Sequence, residues 1–142
     1  MMYEIVLDTS VLVAGLRSTK GASHQVLRRV ATSELVPLVS TPLFVEYESV
    51  LKRPEHQLAS GLSLVDIDQF LAAFAAASKP VDIHFMWRPQ LRDALDEMVL
   101  ECIVNSGQEL LITHNVKDLY TVAEQFNIRV LTPGQLLKEI IE

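Results

Sequence analysis

The chain has 142 residues with 12 Lys plus Arg and 18 Asp plus Glu, so its formal net charge is −6. That length suits one domain spanning residues 1–142, and 49% apolar against 21% charged residues argues against a disordered chain. An acidic balance argues against a surface that coats itself in basic residues to hold nucleic acid. A single cysteine, Cys102, excludes an intramolecular disulfide framework and a cysteine-rich zinc site.

In chain order, Tyr3 to Leu7 reads as a short buried strand, interrupted by Asp8-Thr9-Ser10. Val11 to Leu16 begins a helix or turn, and Gly15 and Gly21 bracket a loop. Ser23 caps a helix from His24 to about Thr32. Leu35 to Val39 is a second strand, which Pro37 places near an edge or an irregularity. Thr41-Pro42 supplies an N-cap and a proline at the first helical position, and Leu43, Tyr47, Val50 and Leu51 form that helix's core stripe.

Ser63 and Asp66 resemble a capping box, followed by Leu64, Ile67, Leu71, Phe74 and Ala75 at helical spacing. Val81 to Phe85 alternates as a half-exposed strand. Asp93 to Asn105 is an amphipathic helix closed by Gly107, with Asp93 as its N-cap and Glu97 and Glu101 on its wet face. Leu110 to Thr113 is a strand, Leu119 to Phe126 a helix, Ile128 to Leu131 a strand and Pro133 to Ile141 the last helix.

Strands and helices mostly alternate, which predicts an α/β fold with a central, mostly parallel sheet of about five strands between helical layers. In such sheets the working site lies beyond the carboxyl ends of the strands. Asp8 follows the first strand, and Asn115 and Asp118 follow the one ending at Thr113. Glu46 lies one turn into the helix after the second strand, and Asp96 lies at the border between the polar and apolar faces of its helix. Converging carboxylates repel one another unless a cation binds or some protonate, and hard cations such as Mg²⁺ and Mn²⁺ take carboxylate oxygens. Singly, each residue has a plainer reading. Asp8 can cap a turn, Glu46 can be a solvated helix residue, and Asn115 and Asp118 are common turn formers. The four histidines share no metal-ligand spacing, and His114 merely borders the proposed edge.

Five stretches in order resemble the PIN-domain family, and more narrowly its members that act as toxins of prokaryotic toxin–antitoxin pairs. They are Ile5 to Val13, Ser40 to Pro54, Arg92 to Glu101, Leu111 to Leu119, and Val130 to Pro133 with Leu136-Leu137. The resemblance implies a three-layer α/β/α domain and a Mg²⁺- or Mn²⁺-dependent endoribonuclease acting on single-stranded RNA. It implies Asp8, Glu46 and Asp96 as the catalytic and metal-holding carboxylates, with either Asp118 or Asn115 as a further metal ligand and, otherwise, Asp118 only a cap of the next helix. Thr9, Ser10, Asp93, Thr113 and Asn115 would be accessory groups that orient ligands or water.

Asn115 stands where many relatives carry a fourth aspartate, and Ala94 replaces a common proline. Arg17, Lys20, Arg88 and Arg92 are candidates for flanking phosphates, although the ordinary reading of each is a surface group. The resemblance also implies a cognate antitoxin and a possible homodimer. With no membrane-length apolar run and no basic leader, the expected location is the cytoplasm. Two rivals remain: a PIN-fold binding module without activity, and an aspartate-nucleophile phosphatase. The second lacks an aspartate two residues after Asp8, where Ser10 stands.

Overall fold

The computed structural model describes residues 3–84 and 94–141, without the side chains of residues 94–96, 118, 121, 122 and 141. The predicted roles of Arg88, Arg92 and Asp93, and those of the Asp96 and Asp118 side chains, therefore lie outside the described residues. Five strands form one sheet: β1 (Tyr3–Leu7), β2 (Leu35–Val39), β3 (Lys79–Pro80), β4 (Leu110–Ile112) and β5 (Arg129–Leu131). Their order is β3-β2-β1-β4-β5, and every pairing is parallel. Eight described helices cover the sheet: α1 (Thr9–Arg17), α2 (Ala22–Ala31), α3 (Thr41–Leu51), α4 (Pro54–Ser60), α5 (Leu64–Ala77), α6 (Ala94–Ser106), α7 (Val116–Gln125) and α8 (Pro133–Ile141). This is the three-layer α/β/α architecture expected from the alternation.

β1 is the central strand, and Ile5, Val6 and Leu7 have no exposed surface. A parallel strand covered on both faces needs such a continuous apolar run. From β1 the chain moves outward to β2 and β3, then returns to the other side of β1 for β4 and β5. The direction reverses between β1 and β4, so the crevice at their carboxyl ends is the topological switch point, where such sheets bind ligands.

Several local expectations change. Gly15 lies inside α1, not in a loop, because α1 and α2 pack so closely that a Cβ there would meet Leu27 Cδ1 at 2.5 Å. Gly21 takes the N-cap position of α2, so Ser23 falls inside the first turn. Ser40, one residue before the expected cap, begins α3: its hydroxyl accepts from the Leu43 backbone N–H at 3.2 Å. Pro37 is not on an edge strand. β3 joins β2 only at Leu38 and Val39, so one flank of β2 is still unpaired at Pro37, where a missing N–H is tolerated.

The expected strand at Val81 to Phe85 is instead the two-residue β3, extended by one bond from Val81 N–H to the Val39 carbonyl, and residues 81–84 are irregular. Phe85 lies outside the described residues. α4 has no counterpart among the elements expected from the sequence. The Ser63–Asp66 capping box forms as expected, but Leu64 is half-exposed, and Ile67, Leu71 and Phe74 carry the buried stripe.

The largest revision concerns α6. Glu97 and Glu101 are buried, with 5% and 4% exposure, and so are Val99, Leu100, Cys102 and Ile103. The helix packs on β1, β2 and α3 together, so its polar side is covered as well as its apolar side. A two-face pattern presumes one neighbour, and here there are several. Among the described residues, no single helix is long and apolar enough to cross a membrane.

Candidate functional site

Asp8 is the first residue past β1 and occupies the N-cap position of α1. Its side chain does not cap that helix. The carboxylate is only 3% exposed, and its Oδ2 accepts two short hydrogen bonds, from Ser10 Oγ and Thr113 Oγ1, each at 2.7 Å. Register explains the second bond. Leu7 pairs with Ile112, so the next residue of each strand, Asp8 and Thr113, emerges side by side at the switch point. The Asp8 backbone N–H donates to the Ile112 carbonyl at 2.9 Å, extending the ladder into the site. Two hydroxyl donors on one oxygen fix the plane of the carboxylate. Among the described residues both donors meet Oδ2 and none meets Oδ1.

The turn after β4 feeds both hydroxyls. The Asn115 backbone N–H donates to Thr113 Oγ1 at 3.0 Å, and the His114 backbone N–H reaches Ser10 Oγ at 3.4 Å. Asn115 takes the N-cap position of α7 without a side-chain cap bond, which leaves its amide free of the ordinary turn role. Thr9 is buried, and its hydroxyl finds no partner among the described residues.

Glu46 is half-buried on α3 and makes no hydrogen bond or ion pair with another described residue. Its neighbour Tyr47 is fully buried and donates its hydroxyl to the Leu7 carbonyl, the residue just before Asp8. That bond ties α3 to the end of β1. Burial holds the Tyr47 phenol well above its ordinary pKa, with lesser contributions from Cys102 and the Asp8 charge, so it stays a donor.

The structure therefore brings together Asp8, Ser10, Thr113 and the backbone of His114 and Asn115. It does not join Glu46 to them by a direct bond. Arg17 is exposed and lies 3.0 Å from His56 Nδ1 on α4, while Lys20 is exposed in the turn before α2. Among the described residues, no group of three or more His, Cys, Asp or Glu side chains converges to hold a metal.

Three participants are not apparent from the sequence. There, Tyr47 reads only as core, Ser23 as a cap and His114 as bordering surface. His114 Nε2 and Ser23 Oγ share a 2.7 Å hydrogen bond across 91 residues of chain. The only hint in the sequence is the position of His114, directly after the strand-end Thr113.

A family model described as PIN domain matches residues 4–117, more than half of the chain. That span contains Asp8, Glu46, Asp96 and Thr113. No curated protein and no solved structure matches.

Proposed function

The chain belongs to the PIN domain family, generally a metal-dependent nuclease fold, and on that premise we propose that it is an endoribonuclease that hydrolyses single-stranded RNA with Mg²⁺ or Mn²⁺. The observation that carries this reading is the buried Asp8 carboxylate, held by two hydroxyls at the switch point of a parallel sheet. The donor chemistry fits a hard divalent cation: an oriented carboxylate oxygen, further carboxylates in the sequence and the amide oxygen of Asn115. Asp8, Glu46 and Asp96 would hold the ion, with Asp118 or Asn115 completing the set. When bound, the cation supplies positive charge at the phosphoryl oxygens and lowers the pKa of nearby water.

The chain's own groups divide the remaining work. Ser10 and Thr113 keep Asp8 aimed. Tyr47 ties the middle of α3 to the end of β1, and with it the backbone that carries Glu46. A Glu46 carboxylate oxygen not engaged by the ion would take the proton of the attacking water as the new P–O bond forms; the bond to the leaving oxygen breaks, and that oxygen takes a proton from solvent. Lys20 is a candidate contact for the phosphates on either side, since its turn leads into α2, whose Ser23 touches His114. Arg17 is a weaker candidate because its guanidinium already contacts His56.

The biological reading is a toxin controlled by an antitoxin, with a possible homodimer. It rests on the resemblance of the five stretches described above. Induced expression would then arrest growth, and co-expression of the protein encoded next to it would relieve that arrest.

The chemical test is cleavage of a panel of single-stranded RNAs with Mn²⁺, with Mg²⁺ and with chelator. Wild type should cut only with the divalent ion, and Asp8→Asn should lose at least about a hundredfold in rate, as loss of a central electrostatic group does. An Asp8→Asn protein as active as wild type would overturn the assignment.

A further inference from the structure

The Ser23–His114 bond has no part in the cleavage chemistry proposed above, yet it lies one residue from Thr113. Ser23 is 3% exposed in the first turn of α2, whereas His114 is an exposed residue of the β4–α7 turn. A surface side chain is normally free to sample rotamers, and fixing it costs conformational entropy. Here the ring is held at 2.7 Å by a buried hydroxyl on a helix that itself packs on α1, β2, α5 and α8. The anchor is therefore rigid.

The bond acts on a turn whose next two contacts lead to Asp8. The His114 N–H meets Ser10 Oγ at 3.4 Å, and Ser10 Oγ donates to Asp8 Oδ2 at 2.7 Å. The Asn115 N–H donates to Thr113 Oγ1 at 3.0 Å, and Thr113 Oγ1 donates to the same oxygen at 2.7 Å. Two consecutive amides thus each orient one hydroxyl, and both hydroxyls orient one carboxylate. Each hydroxyl has a single proton. A backbone donor on the oxygen directs that proton outward, towards Asp8.

We propose that Ser23 and His114 form a positioning pair, which clamps the β4–α7 turn to α2 so that its two amides keep Ser10 and Thr113 aimed at Asp8. The pair touches neither RNA nor metal. It acts through the turn on the geometry of Asp8 and of Asn115, and it deepens the metal-dependent ribonuclease reading on which its activity readout rests. Outer groups that orient metal ligands typically change affinity or activity about 10–100-fold when removed.

The test compares wild type, Ser23→Ala, His114→Ala, His114→Gln and the Ser23→Ala/His114→Ala double variant. Binding of Mn²⁺ alone is followed by the resonance of the free ion, and RNA cleavage is measured as kcat and KM. Amide exchange at His114 and Asn115 is read in the same samples. Each alanine variant should weaken Mn²⁺ binding about tenfold and lower kcat similarly, with KM for RNA unchanged. The double variant should be no worse than the weaker single, because the two residues act as one unit. His114→Gln keeps a side-chain amide within reach of Ser23 and should recover most of the loss.

Folded alanine variants with wild-type Mn²⁺ binding and kcat would overturn the proposal, as would additive losses or a change confined to KM. Ser23→Ala removes a single oxygen and covers the case in which His114→Ala does not fold. If wild type neither binds Mn²⁺ nor cuts RNA, the ribonuclease reading falls, and amide exchange decides the clamp alone. Faster exchange at both amides in the alanine variants keeps it, and unchanged exchange overturns it.

Discussion

Tyr47 shows how a core side chain can serve a site without entering it. Its ring packs edge-on against Phe74, with centroids 5.7 Å apart and planes at 90°, while its hydroxyl donates to the Leu7 carbonyl. Tyr47→Phe keeps the ring contact and removes only the donor. The Leu7 carbonyl would then be buried with one partner fewer, which costs about 1–3 kcal/mol. Urea unfolding should show that loss with an unchanged slope. A Phe variant as stable as wild type would mean that the hydroxyl is not what holds α3 to β1. The sequence places Tyr47 in the core stripe correctly, but periodicity reports only which face a residue occupies. It cannot report that one polar atom on that face reaches a strand-end carbonyl 40 residues away in the chain. Asp8 is more legible, because the strand-end rule depends on order along the chain and not on side-chain reach.

At the scale of elements, the α1–α2 hairpin sets where Ser23 stands. A Cβ on Gly15 would lie 2.5 Å from Leu27 Cδ1, 3.1 Å from Leu27 Cγ and 3.2 Å from the Ser23 carbonyl oxygen. The His24 ring also meets the Gly15 carbonyl, with Nδ1 at 3.1 Å. Alanine would favour the helix by about 1 kcal/mol. Crowding against a side chain and a backbone oxygen costs roughly 1–3 kcal/mol, so the net effect of Gly15→Ala should be destabilising, by about 1 kcal/mol. A thermal melt checks the sign, and a stabilised variant would show that α2 moves aside freely. The same hairpin explains why Gly15 looks like a loop residue in the sequence. Glycine is a weak helix former, and only the packed partner reveals that closeness, not flexibility, is its use here. The misplacement of Glu97 and Glu101 on a wet face has the same origin. Burial depends on how many elements surround a helix, and that number is a property of the fold. By contrast, the Ser63–Asp66 box is legible because its two bonds span only three residues.

The whole molecule combines an acidic charge balance with a core that resists alkali only up to a limit. Burial pushes the Cys102 thiol from 9.0 up to about 11, against the opposing influence of hydrogen bonds from Ser40. Burial also raises the Tyr47 phenol well above 10.0. Both groups are neutral in folded and unfolded chains below about pH 9, so their contribution is fully present there. Above that, the unfolded chain releases protons that the folded chain retains, and stability falls as pH rises. Cys102 alone accounts for about 3 kcal/mol lost between about pH 9 and 11, since each pH unit across that interval costs about 1.4 kcal/mol. Tyr47 adds to the slope from about pH 10 upward. Cys102→Ala should therefore flatten the dependence of unfolding free energy on pH between about 9 and 10, whatever it does to stability at neutral pH. An unchanged slope would show that the thiol titrates alike in both states.

The same acidic balance bears on the proposed substrate. A chain with formal charge −6 repels a polyanion at long range, and added monovalent salt would screen that repulsion. A protein that held RNA through a basic surface would instead lose affinity steeply as salt rises, because counterions are released on binding. If Asp8 and the other proposed ligands hold a divalent ion, the charge is cancelled where the phosphate arrives. Mg²⁺ should then strengthen RNA binding at least about tenfold, a coupling of about 1.4 kcal/mol, and by linkage RNA should strengthen ion binding by the same factor. Fluorescence anisotropy of a labelled single-stranded RNA on the Asp8→Asn protein supplies the contrast, since that variant should lose most of the divalent effect and keep the response to NaCl. Equal Mg²⁺ enhancement in wild type and Asp8→Asn would place the ion on the RNA or elsewhere on the protein, and the negative charge at the end of β1 would then need another explanation.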